Sequence, residues 1–263
     1  MEDFFKNQNP QDASKSVDSI VAHGFSVQTG LYIQSGFKNF SSEGGIYVAF
    51  TLVYIAISMA ASSLPVIGNL ANTLVGVPLI VGFIYYGRLQ RRNEFRDFST
   101  FFFGFKNGQW PSFVMQGIML NLCMIFLIGA VILSLFWEPL QVFISQWEKI
   151  ETMDQDKIGE FVVSIFTPAI IQTVGISAVI ALVVATFFCL APFFIVYRRY
   201  SAFEALGASW RIVKSKFPAF LLFNLVLWLM LTAGILLCCV GFLAALPVYY
   251  LALTSAYEDI TGD

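Results

Sequence analysis

Inside the long apolar runs of this sequence the polar side chains are Asn69, Asn72, Thr73, Gln116, Asn121, Gln172, Thr173 and Asn224. All are carboxamides or hydroxyls. Such groups ordinarily bond one membrane helix to another; the alternative is a polar groove for a small or lipid-like solute, formed by Asn69, Asn72, Gln116, Asn121, Gln172 and Asn224. Proton relay is a poor fit, because no run carries Asp, Glu, Lys, Arg or His in its interior, and ionisable groups are the usual mark of coupled-ion pathways.

Catalytic chemistry has even less to work with. His23 is the one histidine, and there is no H-E-x-x-H, no G-x-S-x-G and no glycine-rich phosphate loop. The sequence therefore predicts no catalytic residue, no cofactor and no metal. Glu138, Glu148, Glu151, Asp154, Asp156 and Glu160 crowd one segment with Lys149 and Lys157. A cation site needs converging carboxylates, and an acidic loop is more often simply solvated. The cations Arg198, Arg199, Arg211, Lys214 and Lys216, with Trp210 among them, are expected to touch membrane lipid or a partner protein. They are too few and too close to apolar runs to suggest nucleic acid.

The elements that must position these residues are membrane spans. Of 263 residues, 57% are hydrophobic and 12% charged, with a mean hydropathy of +0.74; soluble domains are about a quarter charged. A spanning helix needs about 20 apolar residues. Six runs meet or approach that length: Gly44–Ser62, 64–87, 111–136, 168–197, 217–237 and 240–257. Thirteen of the fifteen Lys and Arg residues fall before the first span, between the second and third, or between the fourth and fifth. Cytoplasmic loops carry that excess, so both termini are expected in the cytoplasm and the acidic loop 137–160 outside. No secretory signal peptide is expected, since the first 40 residues are polar and mixed in charge. Cys123, Cys189, Cys238 and Cys239 read as small apolar packing residues.

An internal repeat is superimposed on these spans. Gly36-Phe37-Lys38-Asn39, Gly104-Phe105-Lys106-Asn107 and Ser209-Trp210-Arg211 each precede an odd-numbered span. Each even span carries a proline (Pro78, Pro192, Pro247), with tyrosines toward its cytoplasmic end. The pattern predicts three related hairpins whose even helices bend at proline. Between the fourth and fifth spans, Ser201 and Glu204 make a capping box. Phe203, Leu206, Trp210, Val213 and Phe217 make one apolar stripe, which predicts an amphipathic cytoplasmic helix over 201–217 lying at the bilayer interface. Weaker stripes suggest an outer interfacial helix (Leu140, Phe143, Ile144, Trp147, Ile150) and one in the N-terminal arm (Val17, Ile20, Val21, Phe25).

The run Ala205-Leu206-Gly207-Ala208-Ser209-Trp210-Arg211-Ile212-Val213-Lys214, a spanning pair, Pro247 and then Ala256-Tyr257-Glu258-Asp259-Ile260 resembles the C-terminal half of bacterial six-helix membrane families of unknown function. These are similar to the membrane domain attached to some glycerophosphoryl diester phosphodiesterases. The resemblance implies a bacterial cytoplasmic-membrane protein without established catalytic residues. These residues hold no phosphodiesterase domain, so that activity is not implied. The expected organisation is an all-α polytopic membrane protein: a cytoplasmic arm 1–43, a six-helix membrane domain 44–257 built from three hairpins with interfacial amphipathic helices, and a cytoplasmic tail 258–263. The expected function is a non-enzymatic module organising lipid or a larger membrane protein complex. The rival is a passive transporter or channel, based on the polar residues and the proline-interrupted even helices.

Overall fold

The computed structural model describes residues 16–65, 68–106, 108–147, 155–237 and 240–263. Lys6, Lys15, Asn107, most of the acidic turn (Glu148, Lys149, Ile150, Glu151 and Asp154), Cys238 and Cys239 lie outside them, as do the side chains of Gln155, Asp156 and Val240. The described secondary structure is helical. In chain order it comprises α1 Val17–His23, α2 Thr29–Ser42, α3 Gly44–Ser62, α4 Gly68–Arg91, a 3-10 turn Phe98–Phe102, α5 Phe103–Lys106 and α6 Trp110–Ser145. Then follow α7 Gln155–Phe188, α8 Ala191–Arg198, α9 Ala202–Ser215, α10 Phe217–Leu236 and α11 Val240–Thr261.

Among the described residues, five helical stretches are long and apolar enough to cross a membrane: Gly44–Ser62, Gly68–Arg91, Trp110–Ser145, Lys157–Arg198 and Phe217–Leu236. That is the make-up of a multi-pass membrane protein.

The chain divides into two compact units, residues 1–118 with 185–263, and residues 119–184. In the first, α3 packs on α4 and α10 on α11, while α11 also runs against α2, α3 and α4. The core is aromatic. Phe101 from the 3-10 turn stacks on Phe50 of α3 (centroids 4.1 Å apart) and on Tyr86 of α4 (4.2 Å). Gly82 makes this possible: a Cβ there would overlap the Phe101 carbonyl, so the turn lies directly on the α4 backbone. Buried polar atoms in the helices largely bond back to their own backbone, as Thr51 does to Tyr47 and Thr254 to Tyr250.

The second unit pairs the later part of α6 with most of α7. Phe136 and Phe143 on α6 both approach Phe166 on α7, at 6.1 and 6.2 Å between centroids. This corrects two boundaries. The stripe through Leu140, Phe143 and Ile144 is not a separate outer helix, because α6 continues through Pro139 to Ser145. The expected outer loop 137–160 is thus helical on both sides. A proline removes one hydrogen bond from a helix, and the Phe136–Phe143 seam against Phe166 continues across it.

The expected fourth span, 168–197, also differs: α7 starts at Gln155 and the helix breaks at Cys189–Leu190, placing Pro192 in the first turn of α8. Proline is well suited to that position, where its missing N–H would be unpaired anyway. Pro78 and Pro247 stay inside α4 and α11.

Candidate functional site

Three carboxylates join the ends of the helices. At the start of α3, Glu43 accepts the Tyr86 hydroxyl at 2.5 Å and the Arg96 guanidinium through both oxygens, Nε lying 3.1 and 3.2 Å away. At the end of α11, Glu258 accepts the Tyr197 hydroxyl and Nε of Arg91 at 2.9 Å. Beyond it, Asp263 accepts Tyr257 at 2.8 Å and Nε of Arg198 at 2.9 Å. Each group is an arginine, a carboxylate and a tyrosine. The tyrosines come one each from α4, α8 and α11.

A fourth acid, Asp259, takes the Tyr32 hydroxyl at 2.6 Å from α2. Charge-assisted bonds of this kind are the stronger ones. The Arg96 bonds hold the Glu43 carboxyl below the usual carboxylate range, aided by Tyr86 and opposed by partial burial. Burial and the Asp259 bond raise the Tyr32 phenol.

A second threefold pattern lies in the segments that precede the odd spans. Gly36 on α2 rests against the Val248 carbonyl of α11, beside Pro247. Gly104 on α5 rests so closely on Pro78 of α4 that a Cβ would overlap its carbonyl oxygen. Ser209 on α9 donates its hydroxyl to the Phe187 carbonyl at 2.7 Å, where the break between α7 and α8 interrupts the helix. In each case the next two residues face outward: Phe37 and Lys38, Phe105 and Lys106, Trp210 and Arg211. The N-terminal segment finds its proline-bearing helix at the other end of the chain.

The α9 helix begins as its sequence encodes, with Ser201 and Glu204 in a reciprocal capping box. Backbone and hydroxyl bonds from Ser201 hold the Glu204 carboxyl low. Its faces differ from the single expected stripe. Leu206 and Val213 are buried along with Ala205, Ser209 and Ile212, whereas Phe203 is 70% and Trp210 42% exposed. Small residues on the inner face let α9 approach α8 and α1 closely, and so the stripe divides between two sides of the helix. The three-to-four spacing did not distinguish a lipid-facing stripe from a protein-facing one.

Other sequence-predicted residues are dispersed. Arg198 is nearly buried by its Asp263 pair, whereas Arg199, at the left-handed C-cap of α8, is exposed. Arg211 forms a surface ion pair with Asp18 of α1, and Lys214 and Lys216 are exposed. Of the polar residues, Asn69 is exposed, Asn72 half-buried, and Gln116 buried on α6. Asn224 is buried on α10 and bonds the Phe220 carbonyl of its own helix. In the other unit Asn121 is half-buried on α6, and Gln172 is exposed on α7.

No family model, curated protein or solved structure matches the chain.

Sequence reasoning passed over Glu43, Tyr86, Arg96, Glu258 and Asp263 as constituents of a site. A signal for them existed: isolated acids in or beside the segments that carry nearly all the cations call for partners.

Proposed function

We propose that the protein is a non-enzymatic membrane module that holds anionic lipid headgroups, and through them a partner membrane protein complex, at the cytoplasmic face of a bacterial inner membrane. The observation that carries this reading is the repeated small–aromatic–cation packing. Gly36, Gly104 and Ser209 each seat a segment on a proline-bearing helix, which turns Phe37–Lys38, Phe105–Lys106 and Trp210–Arg211 outward.

Aromatic rings and cations side by side suit the headgroup level. Each basic residue near an anionic leaflet gains about 1 kcal/mol, so three pairs together with Lys214 and Lys216 give useful retention although each is weak alone. In this reading six helices span the bilayer as three hairpins, α11 being the sixth, and both termini lie in the cytoplasm. The resemblance to bacterial six-helix membrane families supports the same placement.

The test is lipid retention. Protein purified in mild detergent should carry phosphatidylglycerol, and replacing Arg211 and Lys214 by Gln should lower the amount without altering the helical circular dichroism. Adding Lys38→Gln and Lys106→Gln should lower it further. Unchanged phosphatidylglycerol in the fourfold variant would refute the reading.

A further inference from the structure

Where α2 ends and α3 begins, an open cleft of about 630 Å³ is lined by Glu43, Gly45, Tyr86, Glu94, Phe95 and Arg96, among others. Binding sites for small ligands fall in this size range. Glu43 and Arg96 neutralise each other across it, and Arg96 Nη1 also donates to the Glu94 carbonyl at 3.0 Å. A guanidinium has five N–H donors, so Arg96 keeps donors for a further anion. The Glu94 side chain is exposed and takes no hydrogen bond or ion pair from the described residues.

One cleft is therefore lined by a carboxylate without a partner among the described residues and by a guanidinium with spare N–H groups. Apolar side chains share the lining: Phe95, which is 89% exposed, and Ile46. Gly45 lines the cleft from an exposed position, where an added Cβ would meet nothing within 4 Å.

We propose that this cleft binds the headgroup of an aminophospholipid. The primary ammonium pairs with the Glu94 carboxylate, the phosphate ester accepts from Arg96, and the acyl chains leave along Phe95 and Ile46. The pairing of opposite charges selects a zwitterion over the anionic lipids assigned to the aromatic–cation pairs. The exposed phenylalanine favours a lipid over a free phosphoethanolamine. No residue of this cleft belongs to those pairs, so the two readings stand or fall separately.

The experiment is native mass spectrometry of the protein in mixed micelles containing phosphatidylethanolamine and phosphatidylglycerol. Wild type should carry phosphatidylethanolamine. Glu94→Gln, which removes the free charge from an exposed position, should lower that adduct about tenfold, as loss of one charged contact worth ~1.4 kcal/mol does, and Gly45→Trp, which adds a large side chain to the lining, should lower it too. Gly45→Ala should retain it, and phosphatidylglycerol should be unaffected by any of the three. Glycerophosphoethanolamine, which lacks acyl chains, should not displace the lipid at equal concentration. Equal phosphatidylethanolamine on wild type and Glu94→Gln, parallel loss of both lipids, or displacement by the chain-free headgroup would each overturn the proposal.

Discussion

The hydroxyl of Tyr197 at the end of α8 bonds Glu258 at the end of α11, and Arg91 from α4 completes the group. One carboxylate thus ties three helices, beside the Arg91–Ser255 hydrogen bond between α4 and α11 and the Arg88 guanidinium of α4 lying over the Tyr197 ring. A hydrogen bond to a charged group contributes about 1.5–3 kcal/mol. Glu258→Gln should destabilise by that order, measured as thermal unfolding in detergent. Arg91→Gln should cost a similar amount, and the double variant less than the two together, because neither single variant leaves the remaining charge a partner. Strict additivity would mean that the pair does not couple these helices.

Close backbone contact between α5 and α4 gives a steric prediction. Gly104→Ala must push α5 off Pro78, and overpacking of this kind costs about 1–3 kcal/mol. Gly207 on α9 has open space around an added Cβ, so Gly207→Ala should stabilise by about 0.4–1 kcal/mol. Opposite shifts in melting temperature are the expected result, and a neutral Gly104→Ala would contradict the packing.

The Glu43–Arg96 bond predicts a pH dependence with a definite sign. The folded carboxyl titrates below its unfolded value, near 4.3. Its contribution is therefore fully present above that value and is lost as pH falls through the lower folded one. The melting-temperature gap between wild type and Glu43→Gln should be constant from pH 7 to 5 and close on further acidification. A gap that widens in acid would show that the folded carboxyl is not held low.

These cases separate what was legible in the sequence from what was not. The Ser201–Glu204 cap is local chemistry and was read directly, as were the helical class and the long apolar runs. An interruption at Pro192 was expected, but a full break at Cys189–Leu190 was not, because apolar residues run continuously across it and hydropathy does not record a lost backbone bond. Ion partners such as Glu43 and Arg96, or Arg198 and Asp263, are separated by long stretches of chain, so pairing could be anticipated only as a need for neutralisation. The three repeated segments were visible as a motif. That Gly36 seats on the last helix rather than the next one required the fold.

The Lys and Arg distribution predicts an orientation that direct labelling tests. With Cys123, Cys189, Cys238 and Cys239 replaced, a cysteine at Asp154 should react with an impermeant maleimide in intact cells. One at Phe203, exposed on α9, should react only after permeabilisation. The reverse pattern would invert the topology and remove the proposed cytoplasmic lipid surface with it.

Pro78 lacks the N–H that would reach the Leu74 carbonyl four residues earlier. Trp110, at the start of α6, donates its indole N–H to that carbonyl at 3.3 Å. The segment after α4 thus supplies a donor that the helix itself has lost, and an intramolecular hydrogen bond contributes about 0.5–1.5 kcal/mol net. Trp110→Phe keeps the ring and removes the donor, so it should destabilise by about 1 kcal/mol. In a Pro78→Ala background the restored backbone N–H can bond Leu74, and the same Trp110→Phe change should then cost close to nothing. Equal costs in both backgrounds, measured as a double-mutant cycle on thermal unfolding, would show that the indole serves only to pack.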